Sequence, residues 1–194
     1  MQIIFSLVAI PYLGRIQGAG AAMISSQQSI ATDLFQQLSD ASRGAAADYL
    51  VSARVVLERL LARPGLLGAL SLDRNRGAYA RNLLFGDDRM SIWAMVWDVG
   101  ARTSIHDHHC SCCFGVLSGS IREIRYDAVS DTAAVMTGQA WRGTGYIACM
   151  LPTGPNLHQM VNDGESEAIS LHIYGFDHHL HASSVHREYR VAAN

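Results

Sequence analysis

The N-terminal third of the chain has the hydrophobic period of a helix. Between Ser29 and Arg63, apolar residues recur mostly at intervals of three and four, which places them on one helical face. The stretch Ser39–Ser42 interrupts this pattern and predicts two helices, and Pro64–Gly65 predicts the end of the second. We expect both helices to pack against the outside of a sheet, as scaffold or oligomer contact. Their apolar positions are Leu34, Leu38, Ala46, Leu50, Val56, Leu57, Leu60 and Leu61.

After Leu72 the pattern changes to short β-type runs separated by turns. Turn signals such as Ser118-Gly119 and Asp163-Gly164 favour a sandwich or small barrel over alternating β/α units. The predicted strands are Tyr79–Phe85, Ser91–Val99, Cys112–Leu117, Ser120–Asp127, Ala133–Met136, Tyr146–Met150, His158–Asn162, Ala168–Tyr174 and Val185–Val191. No repeat or linker divides the chain, so we predict one domain over residues 23–194, helical at about 26–72 and a barrel at about 79–191.

The first residues do not match a targeting signal. They are apolar, but they lack the basic segment of a secretory signal, and Pro11 interrupts them. We expect residues 1–22 to be a disordered or spurious extension, with Met23 as the true start. No run reaches the roughly 18 apolar residues that a membrane helix needs, so no membrane is expected as a partner.

Composition narrows the classes of function. The 194 residues are 49% hydrophobic, which agrees with one compact domain with a large core, and a homo-oligomer is possible. The net charge of −2 and scattered Lys and Arg leave no basic stripe, which argues against nucleic acid as a partner. Three of the four cysteines lie too close together in sequence to cross-link long loops by disulfides, namely Cys110, Cys112 and Cys113. This spacing predicts a reducing, cytoplasmic environment. Cys149 is expected to be a buried apolar residue.

The candidate chemistry lies between Gly100 and Gly119. Side chains alternate along an extended strand, so His106 and His108 point the same way and can share a metal ion, while Asp107 points away. The chain has nine histidines, and the His-x-His spacing alone therefore leaves a purely structural pair as an open alternative.

Motifs around these histidines resemble those of the cupin barrel. The first cupin motif is matched by Gly100, His106, His108 and Gly119, and the second is approximated by Pro152-Thr153-Gly154, His158 and Asn162. The resemblance implies a mainly β fold, a cupin double-stranded β-helix or small β-barrel preceded by N-terminal α-helices, with His158 as a third metal ligand. Most cupins carry an acidic ligand where Cys112 stands, counting back from Gly119, although counting forward from His108 selects Cys113. We favour Cys112, because the turn fixes the register of a hairpin.

Three histidines without a carboxylate resemble the ligand set of the thiol dioxygenases, specifically the cysteine dioxygenase family. Two further segments, Tyr79–Leu83 and Ser170–Tyr174, resemble segments of that family, and the period of two puts Ser170, His172 and Tyr174 on one face. The resemblance implies Fe(II) as cofactor, held by His106, His108 and His158. It implies a substrate-binding pair, Arg81 and Tyr79, and a catalytic group of Tyr174, His172, Ser170 and Cys112, with a thioether between Cys112 or Cys113 and Tyr174 in some members.

The expected activity is therefore oxidation of a small thiol with O2, most simply of L-cysteine to cysteine sulfinic acid. The choice of cysteine over 3-mercaptopropionate depends on Arg81, since relatives that use mercaptopropionate carry glutamine there. Mercaptosuccinate is a further candidate substrate. A cupin that binds metal without turnover, and a Zn(II) or Mn(II) isomerase, remain as alternatives.

Two weaker groups of possible ligands are present. One group has the composition of a zinc cluster and consists of His109, Cys110 and whichever of Cys112 and Cys113 faces outward. Adjacent residues on a strand point to opposite faces, so few of these side chains can converge on one ion. The C-terminal histidines follow no fixed spacing, and we interpret them as a solvated tail or an interface. They are His178, His179, His181 and His186.

Overall fold

The structure, a computed structural model, describes residues 33–44, 46–152 and 156–192. From Phe35 onward the chain forms one compact unit. The predicted extension, the proposed start at Met23 and the Thr153-Gly154 part of the second motif lie outside the described residues.

The prediction of two successive helices is confirmed by helical residues 33–41 and by the helix Ala46–Leu61. The break between them lies later than predicted, because residues 39–41 are still helical and the turn begins at Ser42. There the Ser42 hydroxyl donates to the Ser39 carbonyl over 2.6 Å, so the polar residues end the helix instead of interrupting it. A short helix, Leu66–Ala69, follows Gly65 and was not predicted. No helix within the described residues has both the length and the hydrophobicity to cross a bilayer.

The β region contains the predicted strands and one more. In chain order they are β1 (Tyr79–Gly86), β2 (Ser91–Trp97), β3 (Ile105–His108), β4 (Cys112–Ser118), β5 (Ser120–Ala128), β6 (Ala133–Gly143), β7 (Ile147–Met150), β8 (His158–Val161), β9 (Ala168–Tyr174) and β10 (Val185–Val191). The predicted end of β6 at Met136 is wrong. The strand continues to Gly143 because its second half stays paired with β5.

The strands form two sheets. One has the order β1-β2-β9-β4-β7, and the other closes on itself as β10-β3-β8-β5-β6, because β10 pairs with both β3 and β6. The mainly β fold, a small barrel preceded by helices, is therefore the predicted one. Its topology brings β3, β8 and β9, which are distant in sequence, around one interior.

Strand β9 separates two parts of the core because both of its faces are covered. Leu171 and Ile173 pack in the cluster that contains the helix Ala46–Leu61, while Tyr174 belongs to the cluster on the opposite face. That helix follows the predicted period, since its buried residues are Tyr49, Ala53, Val56, Leu57 and Leu60. The predicted packing of a helix against the outer face of a sheet is therefore confirmed.

Strand β4 shows the same division of faces, and it corrects the prediction for Cys149. Cys112 lies in the cluster that contains Tyr174, whereas Cys113 lies in the helix-side cluster. Cys113 and Cys149 are directly opposite each other on β4 and β7, and they form a disulfide. Cys149 is therefore not a free apolar residue. Cys110 and Cys112 are free thiols.

Candidate metal centre and substrate cavity

The three predicted metal ligands are adjacent in the structure. His106 and His158 are paired Cα partners on β3 and β8, and His108 follows two residues along β3 on the same face. One ring nitrogen from each of the three lies within 4.8 Å of the others, and Nε2 of His108 is 3.1 Å from Nε2 of His158. All three side chains are buried. Alternation along β3 and antiparallel pairing with β8 are sufficient to produce this arrangement.

The outer nitrogen of each ring has an acceptor. Nδ1 of His106 lies 2.9 Å from the carbonyl of Ser104, and Nδ1 of His108 lies 3.1 Å from Oγ of Ser184. Nδ1 of His158 faces a carboxylate oxygen of Glu123 at 3.4 Å. Each neutral ring can therefore keep its hydrogen on Nδ1 and turn the Nε2 lone pair inward.

Electrostatics keep the inward nitrogens available. Burial, and then the proximity of His158, lowers the pKa of His106 to about 4 and that of His108 to about 2, so both rings are neutral near pH 7. Convergent neutral imidazoles are the form that binds a divalent transition metal, so the donor set fits a metal ion.

Glu123 on β5 is a residue that the motif comparison missed. It is 3% exposed, and its Oε2 accepts hydrogen bonds from Nε and Nη2 of Arg142 at 2.9 and 2.7 Å. Burial raises the pKa of Glu123, but the hydrogen bonds from His158 and Arg142 prevail and lower it to about 2. Alternation along β5 could have placed Glu123 on the inward face, but only the strand pairing shows that the flanking strands carry His158 and Arg142.

Asp107, between the two β3 histidines, points away from the centre as predicted. Its Oδ1 accepts from the backbone N–H of Arg187 at 2.7 Å, and its Oδ2 accepts from the Tyr189 hydroxyl at 3.0 Å. Asp107 therefore ties β3 to β10 and is separate from the candidate ligands.

A cavity of about 280 Å³ opens beside the three histidines. Its wall includes most of the other predicted site residues, namely Tyr79, Arg81, Cys112, His172 and Tyr174. Ser170 lies behind His172 instead of in the wall. The wall also includes residues that the sequence did not indicate, among them Trp97, Ser104, Ser184 and Glu188. The cavity therefore joins the two predicted groups, the ligands and the substrate residues, in one space.

Arg81 is held at one side of this cavity. Its Nη1 donates to the Ala182 carbonyl at 2.7 Å, and its guanidinium carbon lies 4.3 Å from the centre of the Trp93 ring. Its Nε is buried and has no hydrogen-bond partner among the residues that the structure describes. Tyr79, two residues earlier on β1, packs its ring 5.0 Å from that of Trp97. The fixed, partly unsatisfied guanidinium can bind an anionic group in the cavity.

The residues Ser170, His172 and Tyr174 form a buried hydrogen-bonded series along β9. Oγ of Ser170 is 2.8 Å from Nε2 of His172, and Nδ1 of His172 is 3.1 Å from the Tyr174 hydroxyl. Burial lowers the pKa of His172 to about 3, and burial followed by the proximity of Cys112 raises the pKa of Tyr174 well above 10. At neutral pH the imidazole and the phenol are both uncharged.

Cys112 and Tyr174 are Cα partners on β4 and β9, and both side chains lie on the cavity side. Burial is the main cause that raises the pKa of Cys112 well above 9, so this thiol is protonated. Cys113, the alternative in the sequence, faces the helix and is disulfide-bonded.

The weaker ligand groups do not join the centre. Nε2 of His109 lies 2.9 Å from the Ser183 carbonyl, and the ring packs beside those of Phe176 and His181. In the described part of the chain no group of potential ligands combines His109 with the cysteines. Asp177, His178 and His179 do form a compact group, but His179 is exposed and Asp177 Oδ1 already accepts from the His179 backbone.

A β-barrel that encloses three convergent imidazoles defines a protein of the cupin fold with a candidate metal centre. The sequence model of the family described as cysteine dioxygenase type I matches residues 22–179, and the chain belongs to this family.

Individual curated relatives match this chain over only part of its length. The cysteine dioxygenase type 1 of Rattus norvegicus is 31% identical over 100 residues, and that of Danio rerio is 30% identical over 103 residues. Each match covers 50% of this chain and 50% of the relative, so it spans about half the length of these curated relatives. A solved cupin domain from Bordetella pertussis is 15% identical, with a TM-score of 0.37, covering 53% of this chain and 98% of that one.

Proposed function

We propose that this chain is an iron-dependent dioxygenase of a small carboxylated thiol, with L-cysteine as the first candidate. The reaction adds both atoms of O2 to the sulfur, RSH + O2 → RSO2H, and yields a sulfinate. The supporting observation is that the Arg81 guanidinium lines the same cavity as the three inward imidazole nitrogens, and that its Nε–H has no partner among the described residues.

The metal is proposed to be Fe(II), held by His106, His108 and His158. Three neutral ligands leave positions for small molecules and leave the anionic charge to the thiolate of the substrate. Fe(II) would supply a Lewis acid for the thiolate and a redox-active site for O2, while the four electrons that reduce O2 come from the thiol sulfur. Glu123 and Ser184 hold the outer nitrogens of two rings and so keep both lone pairs directed inward.

Arg81 is proposed to bind the substrate carboxylate. The Trp93 ring and the Ala182 carbonyl hold the guanidinium in place, so little side-chain freedom is lost on binding. A charge-assisted hydrogen bond in a buried site contributes about 1.5–3 kcal/mol and fixes the orientation of the ligand. Tyr79 shapes the same wall of the cavity.

Tyr174 is proposed to place a neutral phenol beside the bound substrate, oriented by His172 with Ser170 behind it. The pairing of Cys112 with Tyr174 across neighbouring strands supports a thioether between them, as in some members of the family. The new carbon–sulfur bond replaces the S–H bond of Cys112 and one ring C–H bond of Tyr174, and O2 takes up the two hydrogen atoms as H2O2. Intact mass before and after turnover tests this step, and an unchanged mass after many turnovers would count against it.

Glu188 supports an amino thiol over a dicarboxylate. Its side chain lines the cavity and accepts a hydrogen bond from the Ser104 hydroxyl at 2.9 Å. A carboxylate there attracts an ammonium group and repels a second substrate carboxylate, which favours L-cysteine over mercaptosuccinate. The proposed partners are the thiol substrate and O2. A cytoplasmic location and a homo-oligomer stay predictions.

The test is O2 consumption by the Fe(II)-loaded protein with L-cysteine, 3-mercaptopropionate, mercaptosuccinate and cysteamine, with the sulfinate identified by mass spectrometry. We expect turnover of L-cysteine. Arg81→Ala should lower kcat/KM for carboxylated thiols about 10- to 100-fold, the equivalent of one charge-assisted hydrogen bond. Cysteamine is the matched control because it has no carboxylate, so any turnover of it should change little in this variant. Absence of O2 uptake with every thiol, despite bound iron, would favour a non-catalytic cupin.

A further inference from the structure

Trp97 extends the hydrogen-bonded series on β9 by one residue. Its indole Nε1 lies 2.8 Å from Oγ of Ser170, which itself lies 2.8 Å from Nε2 of His172. The last member is the Tyr174 hydroxyl, 3.1 Å from Nδ1 of His172. Trp97 and Ser170 are 0% exposed, so water does not compete for these hydrogen bonds.

The order of donors follows from the indole. An indole N–H can only donate, so Oγ of Ser170 accepts the hydrogen bond from Trp97. The serine hydroxyl has one hydrogen, and among the described residues the acceptor within its reach is Nε2 of His172, so we assign the hydrogen to that contact. A neutral imidazole that accepts at Nε2 carries its hydrogen on Nδ1, and this N–H then donates to the oxygen of Tyr174.

We propose that Trp97 is a positioning residue that fixes the tautomer of His172, and thereby directs the hydroxyl hydrogen of Tyr174 away from the imidazole. The phenol oxygen accepts from His172, so its own hydrogen is free to donate to a molecule in the cavity. In the reverse tautomer the phenol donates to His172 and offers the cavity only lone pairs. Trp97 therefore decides whether Tyr174 is a donor towards its ligand.

Two observations agree with this direction. Burial lowers the pKa of His172 to about 3, so the ring is neutral and has one N–H. A hydrogen bond with Ser184 opposes the rise in the pKa of Tyr174, which is the effect of a serine hydroxyl that donates to the phenol oxygen. Oγ of Ser184 also lies 3.1 Å from Nδ1 of His108, so this serine can accept from a candidate metal ligand while its own hydrogen is directed to Tyr174.

The tautomer can be read directly by NMR of the 15N-histidine-labelled full chain, loaded with diamagnetic Zn(II). In the wild type we expect a protonated Nδ1 and an unprotonated Nε2 for His172. Trp97→Phe removes the N–H and keeps an aromatic ring, and it should add a second set of His172 ring signals with Nε2 protonated. Trp93→Phe is the matched control, since the indole nitrogen of Trp93 is buried and has no hydrogen-bond partner among the described residues. This control should leave the His172 tautomer unchanged.

A protonated Nε2 in the wild type would overturn the proposal without any variant, which covers the case that Trp97→Phe does not fold. An unchanged single tautomer in a folded Trp97→Phe protein would overturn it as well. The use of the phenol as a donor in turnover rests on the proposed function. With Fe(II) and L-cysteine, Trp97→Phe should lower kcat and leave KM unchanged. The NMR result does not depend on activity, so failure of the dioxygenase proposal and failure of this inference are distinguishable.

Discussion

Oε1 of Glu123 on β5 lies 3.4 Å from Nδ1 of His158 on the neighbouring strand β8. The buried carboxylate therefore contacts the outer nitrogen of a candidate metal ligand, the one that points away from the metal centre. Such a carboxylate fixes the ring orientation and increases the basicity of the inward nitrogen. Arg142 holds the carboxylate in place from the other side. Arg142 thus positions Glu123, and Glu123 in turn positions the ring of His158.

Replacing this carboxylate should weaken metal binding. Glu123→Gln keeps the shape of the side chain but removes its charge, and we expect the metal affinity to fall about 10- to 100-fold. Competition with a chelator of known affinity measures this change. Glu167→Gln is the matched control, because Glu167 pairs with the exposed Arg74 on the surface and should not affect the metal. Equal affinities of Glu123→Gln and wild type would exclude a supporting role for the carboxylate.

His158 should be essential for metal retention. His158→Ala leaves two inward nitrogens, and we expect its loss of affinity to exceed the roughly 100-fold cost of losing an outer hydrogen-bond partner. Metal content after purification and dialysis measures it. His109→Ala should retain metal, because the His109 ring bonds to the Ser183 carbonyl outside the centre. If His158→Ala kept stoichiometric iron, the third ligand would have to be sought elsewhere.

Gly119, at the β4–β5 turn, should tolerate no side chain. Its φ of 75° is unfavourable for other residues, and an added Cβ would lie 2.9 Å from the Glu167 carbonyl oxygen. We expect Gly119→Ala to lower the free energy of unfolding by about 2 kcal/mol. Urea denaturation measures the change. Gly138→Ala is the control, since a Cβ at Gly138 meets no atom of the described residues within 4 Å, and a similar loss in both variants would contradict the explanation.

The buried, neutral His172 should make the metal-free protein sensitive to acid. Its pKa is lowered from 6.5 to about 3 on folding, so below pH 6.5 the unfolded state binds more protons and the free energy of unfolding falls. By pH 4 this residue alone accounts for a loss of roughly 3 kcal/mol. Urea denaturation from pH 7 to pH 4 should therefore show a shallower dependence in His172→Gln. Parallel curves for the wild type and His172→Gln would refute this assignment.

Local patterns were sufficient for much of the fold. The spacing of Leu57 and Leu60 predicted a helix packed on a sheet, and alternation put His106 and His108 on one face with Asp107 on the other. Both periods are properties of the backbone, so they can be read without knowledge of the partner strand. The predicted length of β6 was wrong because the end of that strand depends on its pairing with β5, which no local period shows.

The sequence by itself determined the strand-rich architecture, the inward pair on β3 and the single face of Ser170, His172 and Tyr174. Only the tertiary structure decided that Glu123 supports His158, that Trp97 donates to Ser170 and that Cys113 pairs with Cys149. These contacts join strands far apart in the chain, and their geometry depends on sheet order and register. No period within one segment encodes them, since a residue's face is local whereas its neighbour across the sheet is not.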